Sequence, residues 1–111
     1  MPELSTWIWV DALRWRAEKA GAQFYVLHKG DGDAGAVLVK VVGEDRLARL
    51  FVPVRDMEGE RLWSQPLGAL PMEEMRADGY IARRREDDPD IWAVEIIDRQ
   101  ARHFLMEPVE G

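Results

Sequence analysis

Apolar residues recur in two rhythms along this 111-residue chain. Val10, Leu13, Ala17 and Ala20 form a stripe at helical spacing, with Trp9 beside it. Ser5 or Thr6 can N-cap this helix, and Gly21 suits the left-handed position that ends it near Ala20. From Gln23 the rhythm changes to β-branched and aromatic runs. Gln23 to His28, Ala36 to Val42 and Leu47 to Val54 read as strands, with a short fourth near Glu60 to Ser64. The turns between them fall at a glycine-rich loop, at Gly43 to Arg46, and at Asp56 to Gly59, where Gly59 suits a positive φ. The Val37 run is apolar on both faces apart from Lys40, the mark of a central strand.

Pro66 to Pro71 is a connector, and Met72 to about Asp87 reads as a second helix that Pro89 forces to end. Ile91 to Ile97 is a strong strand, and His103 to Met106 is placed to hairpin back onto it. The expected order is α-β-β-β-β-α-β-β. This is an α+β fold with an N-terminal helix, an antiparallel meander, a second helix and a C-terminal hairpin, as a single globular domain over 1–111.

Composition narrows the function classes. Hydrophobic residues at 47% and charged residues at 32% describe a soluble globular protein. Without cysteine there is no disulfide, zinc-thiolate site or thiol nucleophile. The start of the chain lacks a signal-peptide pattern, and no apolar run approaches the ~20 residues of a membrane span. The expected location is therefore cytoplasmic. A net charge of −6 opposes binding to duplex nucleic acid, and Arg83 to Arg85 is neutralised at once by Glu86 to Asp88.

The loop Gly30-Asp31-Gly32-Asp33-Ala34-Gly35 matches the G-x-G-x-x-G pattern of nucleotide-binding turns. A dinucleotide loop must open a helix that holds the pyrophosphate, whereas a strand follows here. A kinase-type loop does join strands, but the H-R-D and D-F-G strings are missing. A calcium loop needs Glu at its twelfth position, where Val42 stands. The preferred reading is a structural hairpin loop with glycine chosen for positive φ. A ligand or anion nest built on Gly30, Asp31, Gly32, Asp33 and Gly35 is the alternative.

The second distinctive string runs from Asp88 to Ile96. Strand alternation sets Trp92, Val94 and Ile96 on one face, and Ile91, Ala93, Glu95 and Ile97 on the other. Glu95 is then a carboxylate on an apolar face and needs a partner; Arg14, beside the first helical stripe, is the first candidate and Arg84 the second. Pro89-Asp90 with Glu95 approaches a nuclease spacing, but Ile97 occupies the lysine position of such sites; Asp88 is a further acidic candidate. Neither histidine has companion ligands, and neither serine sits in a nucleophile elbow. No catalytic residue, metal site or cofactor is assigned. Five tryptophans are many for this length. Trp7, Trp15 and Trp63 are the interface candidates, since tryptophan is enriched at binding hot spots.

Several motifs occur here in one order: Ala12-Leu13-Arg14, Gly21, the Gly30–Gly35 loop with Val37-Leu38-Val39, Asp56 to Gly59 before Trp63, and Asp88-Pro89-Asp90 through Trp92, Val94 and Glu95. Together they resemble the family called domain of unknown function 1491, small proteins found mainly in alphaproteobacteria. The resemblance implies a small cytoplasmic bacterial protein and brings no activity, ligand or catalytic residue. The leading expectation is a non-enzymatic interaction or scaffolding module, as a homodimer or with another protein. The runner-up is a small ligand-binding, nucleotide-binding or metal-assisted enzyme. It requires the glycine loop and the acids Asp31, Asp33, Asp90 and Glu95 to converge in one cleft.

Overall fold

A computed structural model of the chain describes residues 4–110. In chain order the elements are α1 (Thr6–Lys19), β1 (Gln23–His28), β2 (Val37–Val42), β3 (Leu47–Arg55), β4 (Arg61–Ser64), β5 (Met72–Glu73), α2 (Glu74–Asp87) and β6 (Trp92–Ile97). The α+β class stands, with two helices and a six-stranded mixed sheet.

The sheet runs β1-β6-β2-β3-β4, with β5 also paired to β3. β2, β3 and β4 form the expected antiparallel meander. β6 inserts between β1 and β2, antiparallel to the first and parallel to the second. Two expectations change as a result. The glycine loop is not a hairpin between neighbours, because it must cross the start of β6 to carry the chain from β1 to β2. Nor does residues 103–106 form a strand: both edges of β6 are already occupied, so a returning strand has no place to pair. The chain instead turns at Asp98–Ala101, with Ala101 and Phe104 both at positive φ. It then runs beside α1, where Arg16 donates to the Phe104 carbonyl, and reaches β4.

A helix covers each face. Val10, Leu13 and Ala17 of α1 pack on Val37, Val39, Val41, Trp92, Val94 and Ile96. On the other face Ala77 and Ile81 of α2 pack with Leu38, Val42, Leu50, Ile91 and Ala93. All six residues of β2 are buried, as a strand covered on both faces requires. Pro53 lies mid-strand without harm. It pairs with Trp63, whose own N–H and carbonyl point away from β3, so the missing N–H breaks no ladder bond. Gly21 and Gly59 do take positive φ, at 94° and 81°.

Candidate functional site

The glycine loop closes the N-terminus of α1. Its Gly32 and Asp33 carbonyls accept from the Trp7 and Thr6 N–H groups at 3.1 and 3.4 Å, and its Gly35 carbonyl accepts from the Thr6 hydroxyl at 2.9 Å. The Ser5 side chain makes no capping bond, because the loop's carbonyls take that role. Three of the loop's amides are spent as well. Asp31 N–H donates to the Asp90 carbonyl at 2.9 Å, Gly35 N–H to the Asp31 carbonyl, and Ala34 N–H to the Asp31 carboxylate. Trp92 adds its indole N–H to the Asp31 carbonyl at 2.7 Å. A phosphate cradle presents amides outward, whereas here carbonyls face the helix and the Asp31, Ala34 and Gly35 amides are bonded within the protein.

None of Gly30, Gly32 and Gly35 has positive φ, contrary to the reason inferred for them. Two are needed for close approach. A Cβ on Gly30 or on Gly35 would collide with the Asp90 carbonyl oxygen. The loop crosses β6 at that point, and only glycine lets it lie against that backbone.

The acids do not converge. Asp31, Asp33, Asp88 and Asp90 are exposed. Asp88 accepts from the Asp90 N–H in a local turn at 3.0 Å. Glu95 lies on the α2 face of the sheet, while the loop is bonded to α1 on the other. Among the described residues no group of three His, Asp or Glu side chains is placed to hold a metal.

Glu95 is mostly buried and paired, but its partner is a lysine. Lys40, next to it in register on β2, lies 3.0 Å from its carboxylate. The same ammonium is 2.8 Å from Glu74 and 2.8 Å from Asp78, both on α2, and only 3% of the Lys40 side chain is exposed. Arg46 closes the group by pairing with Glu74 at 2.9 Å. Arg14 pairs with Glu18 along α1 and lies over the Phe24 ring. Arg84 donates to the Tyr80 hydroxyl. Alternation gave the correct face for Glu95, but α2 covers that face and α1 does not.

Burial alone pushes the Lys40 ammonium down. Hydrogen bonds to Asp78, Glu74 and Glu95, with the charge of Glu95, outweigh it and hold the group above its ordinary value. Glu74, bonded to Lys40, is held below the usual carboxylate range. A lysine stabilised this strongly as a cation is a tether for α2 and a poor nucleophile. Glu95→Gln removes one of three acceptor carboxylates while leaving two. We expect a loss of about 1 kcal/mol in urea unfolding with an unchanged m-value. A raised midpoint would mean that the carboxylates chiefly repel one another.

Two further polar groups are withdrawn from water, the buried Asp98, which escaped sequence reasoning, and the partly buried His103. Asp98 is 5% exposed and takes two 2.8 Å bonds from the Arg102 guanidinium, which lowers its carboxyl below the ordinary range. Burial, helped by the nearby Arg49 charge, lowers the His103 imidazole, whose Nδ1 accepts from the Leu105 N–H at 2.9 Å. The i,i+4 acid–base spacing of Asp98 and Arg102 was the available signal for the first.

The tryptophans divide sharply. Trp7 and Trp15 on α1 are 50% and 62% exposed. Trp63 is buried at 1%, so this interface candidate belongs to the core. Trp9 stacks on it with ring centroids 5.6 Å apart. Beside that stack opens a cleft of about 1050 Å³. It lies between the start of α1, the end of the glycine loop, the β3–β4 hairpin and residues 106–108. Asp33 and Gly35 reach its wall, but Gly30, Asp31, Gly32, Asp90 and Glu95 do not.

A family model described as a protein of unknown function, DUF1491, matches residues 4–106. A crystal structure of a DUF1491 family protein from Caulobacter crescentus CB15 shares 52% identity. The match covers 97% of this chain and 100% of that one, with a TM-score of 0.92. An NMR structure of a DUF1491 family protein from the same organism shares 51% identity over the whole of both chains, with a TM-score of 0.89. A solution structure of a protein from A. tumefaciens shares 25% identity over 99% of this chain and 98% of that one, with a TM-score of 0.81. No curated protein matches. On the evidence of its motifs, its fold and these matches, the chain belongs to the DUF1491 family.

Proposed function

We propose that this chain is a non-enzymatic, cytoplasmic interaction module that pairs with a second copy of itself through β1. One observation carries the reading. Among the described residues β1 is an edge strand bonded only to β6, and residues 23–27 include no charge and no proline. Tyr25, Val26 and Leu27 are 47%, 40% and 46% exposed. Edges left this bare invite another strand, and most proteins blunt them with charges, proline or a cover. The single irregularity, between Val26 and His28, lies at the strand's end.

A second copy fits this edge because the edge is self-complementary. Antiparallel pairing of β1 with β1 about a two-fold axis continues the sheet and brings no like charges together, despite the net charge of −6. Trp7, half exposed, lies against the glycine loop that follows β1, and we assign its ring to the proposed interface as well. The enzyme alternative lacks its premise, since the loop and Glu95 are on different faces.

Light scattering across a concentration series tests this. The wild type should be a dimer, and Leu27→Lys with Trp7→Lys should weaken self-association at least about tenfold through buried charge. Both side chains are already exposed, so folding stability should change by less than about 1 kcal/mol. A wild type that stays monomeric at every concentration would end the proposal.

A further inference from the structure

The opposite edge of the sheet is covered, and the manner of covering points to a second site. The outer edge of β4 is capped by the chain's own C-terminal segment. Trp63 N–H donates to the Pro108 carbonyl at 2.9 Å, and Glu110 N–H donates to the Trp63 carbonyl at 2.8 Å, so Trp63 and Val109 form a parallel bridge. The Trp63 indole N–H donates to the Glu107 carboxylate at 2.9 Å. This is strand addition in miniature: backbone bonds hold the segment, and one side-chain acceptor fixes its register.

The covering stops short. Two residues back, Arg61 pairs with Arg55 in the same way that Trp63 pairs with Pro53. Alternation therefore turns the Arg61 N–H and carbonyl to the same outer edge, where no bond occupies them among the described residues. Its half-buried side chain lies over Trp9, 6.0 Å from the ring centre, and has no carboxylate or carbonyl partner among the described residues. Both Arg61 and the Trp9–Trp63 stack face the 1050 Å³ cleft. A half-buried guanidinium without an acceptor, beside free backbone groups and an aromatic platform, matches the needs of an extended peptide bearing a carboxylate.

We propose that the outer edge of β4 is a strand-addition site for an extended acidic segment of a partner protein, with residues 107–110 as its occupant in cis. The partner segment runs parallel to β4. It replaces the tail at Trp63 and continues one pairing unit further, placing a carboxylate on Arg61. An identical tail from a second copy gains nothing, because the tethered one is always present at high effective concentration. A partner must therefore make contacts that the tail does not, and Arg61 supplies them.

The test uses the ¹⁵N-labelled full chain and the peptide acetyl-Asp-Val-Glu-Ala-Val-Glu-amide, which follows the tail pattern, replaces its proline so that an N–H can reach the Arg61 carbonyl, and adds an acid to reach the Arg61 side chain. Glu110→Pro removes the tail's N–H bond to Trp63 without touching the fold's core. The peptide should shift the amides of residues 61–64 and the Trp63 indole, with an apparent Kd at least about tenfold lower for Glu110→Pro than for wild type. Arg61→Gln in the Glu110→Pro background should weaken binding by about tenfold or more. If Arg61→Gln fails to fold, replacing the peptide's aspartate by lysine probes the same contact from the other side. Unmoved β4 signals in Glu110→Pro, or binding indifferent to the charge opposite Arg61, would overturn the proposal. So would a wild-type dimer that disappears in Glu110→Pro, since that makes a second copy the occupant. Leu27→Lys reads β1 alone, so failure at either edge leaves the other result legible.

Discussion

Replacing Lys40 by methionine should destabilise the fold by about 3–5 kcal/mol, the largest single-residue effect expected here. Methionine matches the length of the stem but takes the ammonium from three carboxylates, with Glu95 14%, Glu74 27% and Asp78 53% exposed. The exposed Asp78 can turn to water, which limits its share. Glu74 keeps its Arg46 partner, whereas Glu95 cannot reach water without lifting α2 from the sheet.

The pH dependence separates this account from a simple packing loss. In the wild type Glu74 is held below its ordinary value of about 4.5, so its contribution is complete above that pH and is lost as pH falls through the folded value. Lys40 is held above its ordinary 10.5, so its contribution is complete below that pH and persists until the solution is strongly alkaline. Wild-type stability should thus fall between pH 5 and pH 3, in the direction of the Glu74 shift. Lys40→Met should behave oppositely over the same interval, because protonation relieves repulsion among carboxylates that have lost their cation. Urea midpoints measured across that range decide it. Parallel pH curves for the two proteins would show that the ammonium is not what holds the cluster.

Gly30→Ala should cost at least about 3 kcal/mol, while Gly32→Ala should be neutral or slightly stabilising. The new Cβ at position 30 would meet the Asp90 and Ile91 carbonyl carbons at 2.6 Å besides the Asp90 oxygen, and this backbone, leading directly into the central strand β6, cannot step aside. At position 32 the nearest atom is a Trp7 ring carbon at 3.6 Å, an ordinary contact. Thermal or urea unfolding of the two variants checks the contrast. Equal effects would mean that the loop's glycines serve conformational freedom and not the crossing over β6.

The expected and observed roles of these glycines show where local reading stops. Sequence spacing located the loop, the strand on either side of it and the need for glycine. It could not show that a strand sixty residues later passes beneath the loop. The first-helix stripe, Gln23–His28, the β2–β4 meander and the strong strand ending at Ile97 were all legible, because the 3.6- and 2-residue rhythms are properties of neighbouring residues. Legible too were the central position of β2 and the isolation of Glu95 on an apolar face.

Lys40 stood in the same reading as the one charge of a doubly buried run. Two opposite charges stranded on central strands are a signal that they meet, and that inference was available before any coordinates. What alternation cannot supply is the neighbour. It assigns a residue to a face of its own strand, yet strand order, and hence which helix covers that face, follows from burial summed over the whole sheet. Tertiary structure alone set β6 between β1 and β2, leaving His103–Met106 no edge to join. It also buried Trp63 beneath the tail, left Trp7 and Trp15 outside, and made one edge of the sheet covered and the other bare. These outcomes depend on contacts distant in sequence, whose worth is fixed only when both partners are in place.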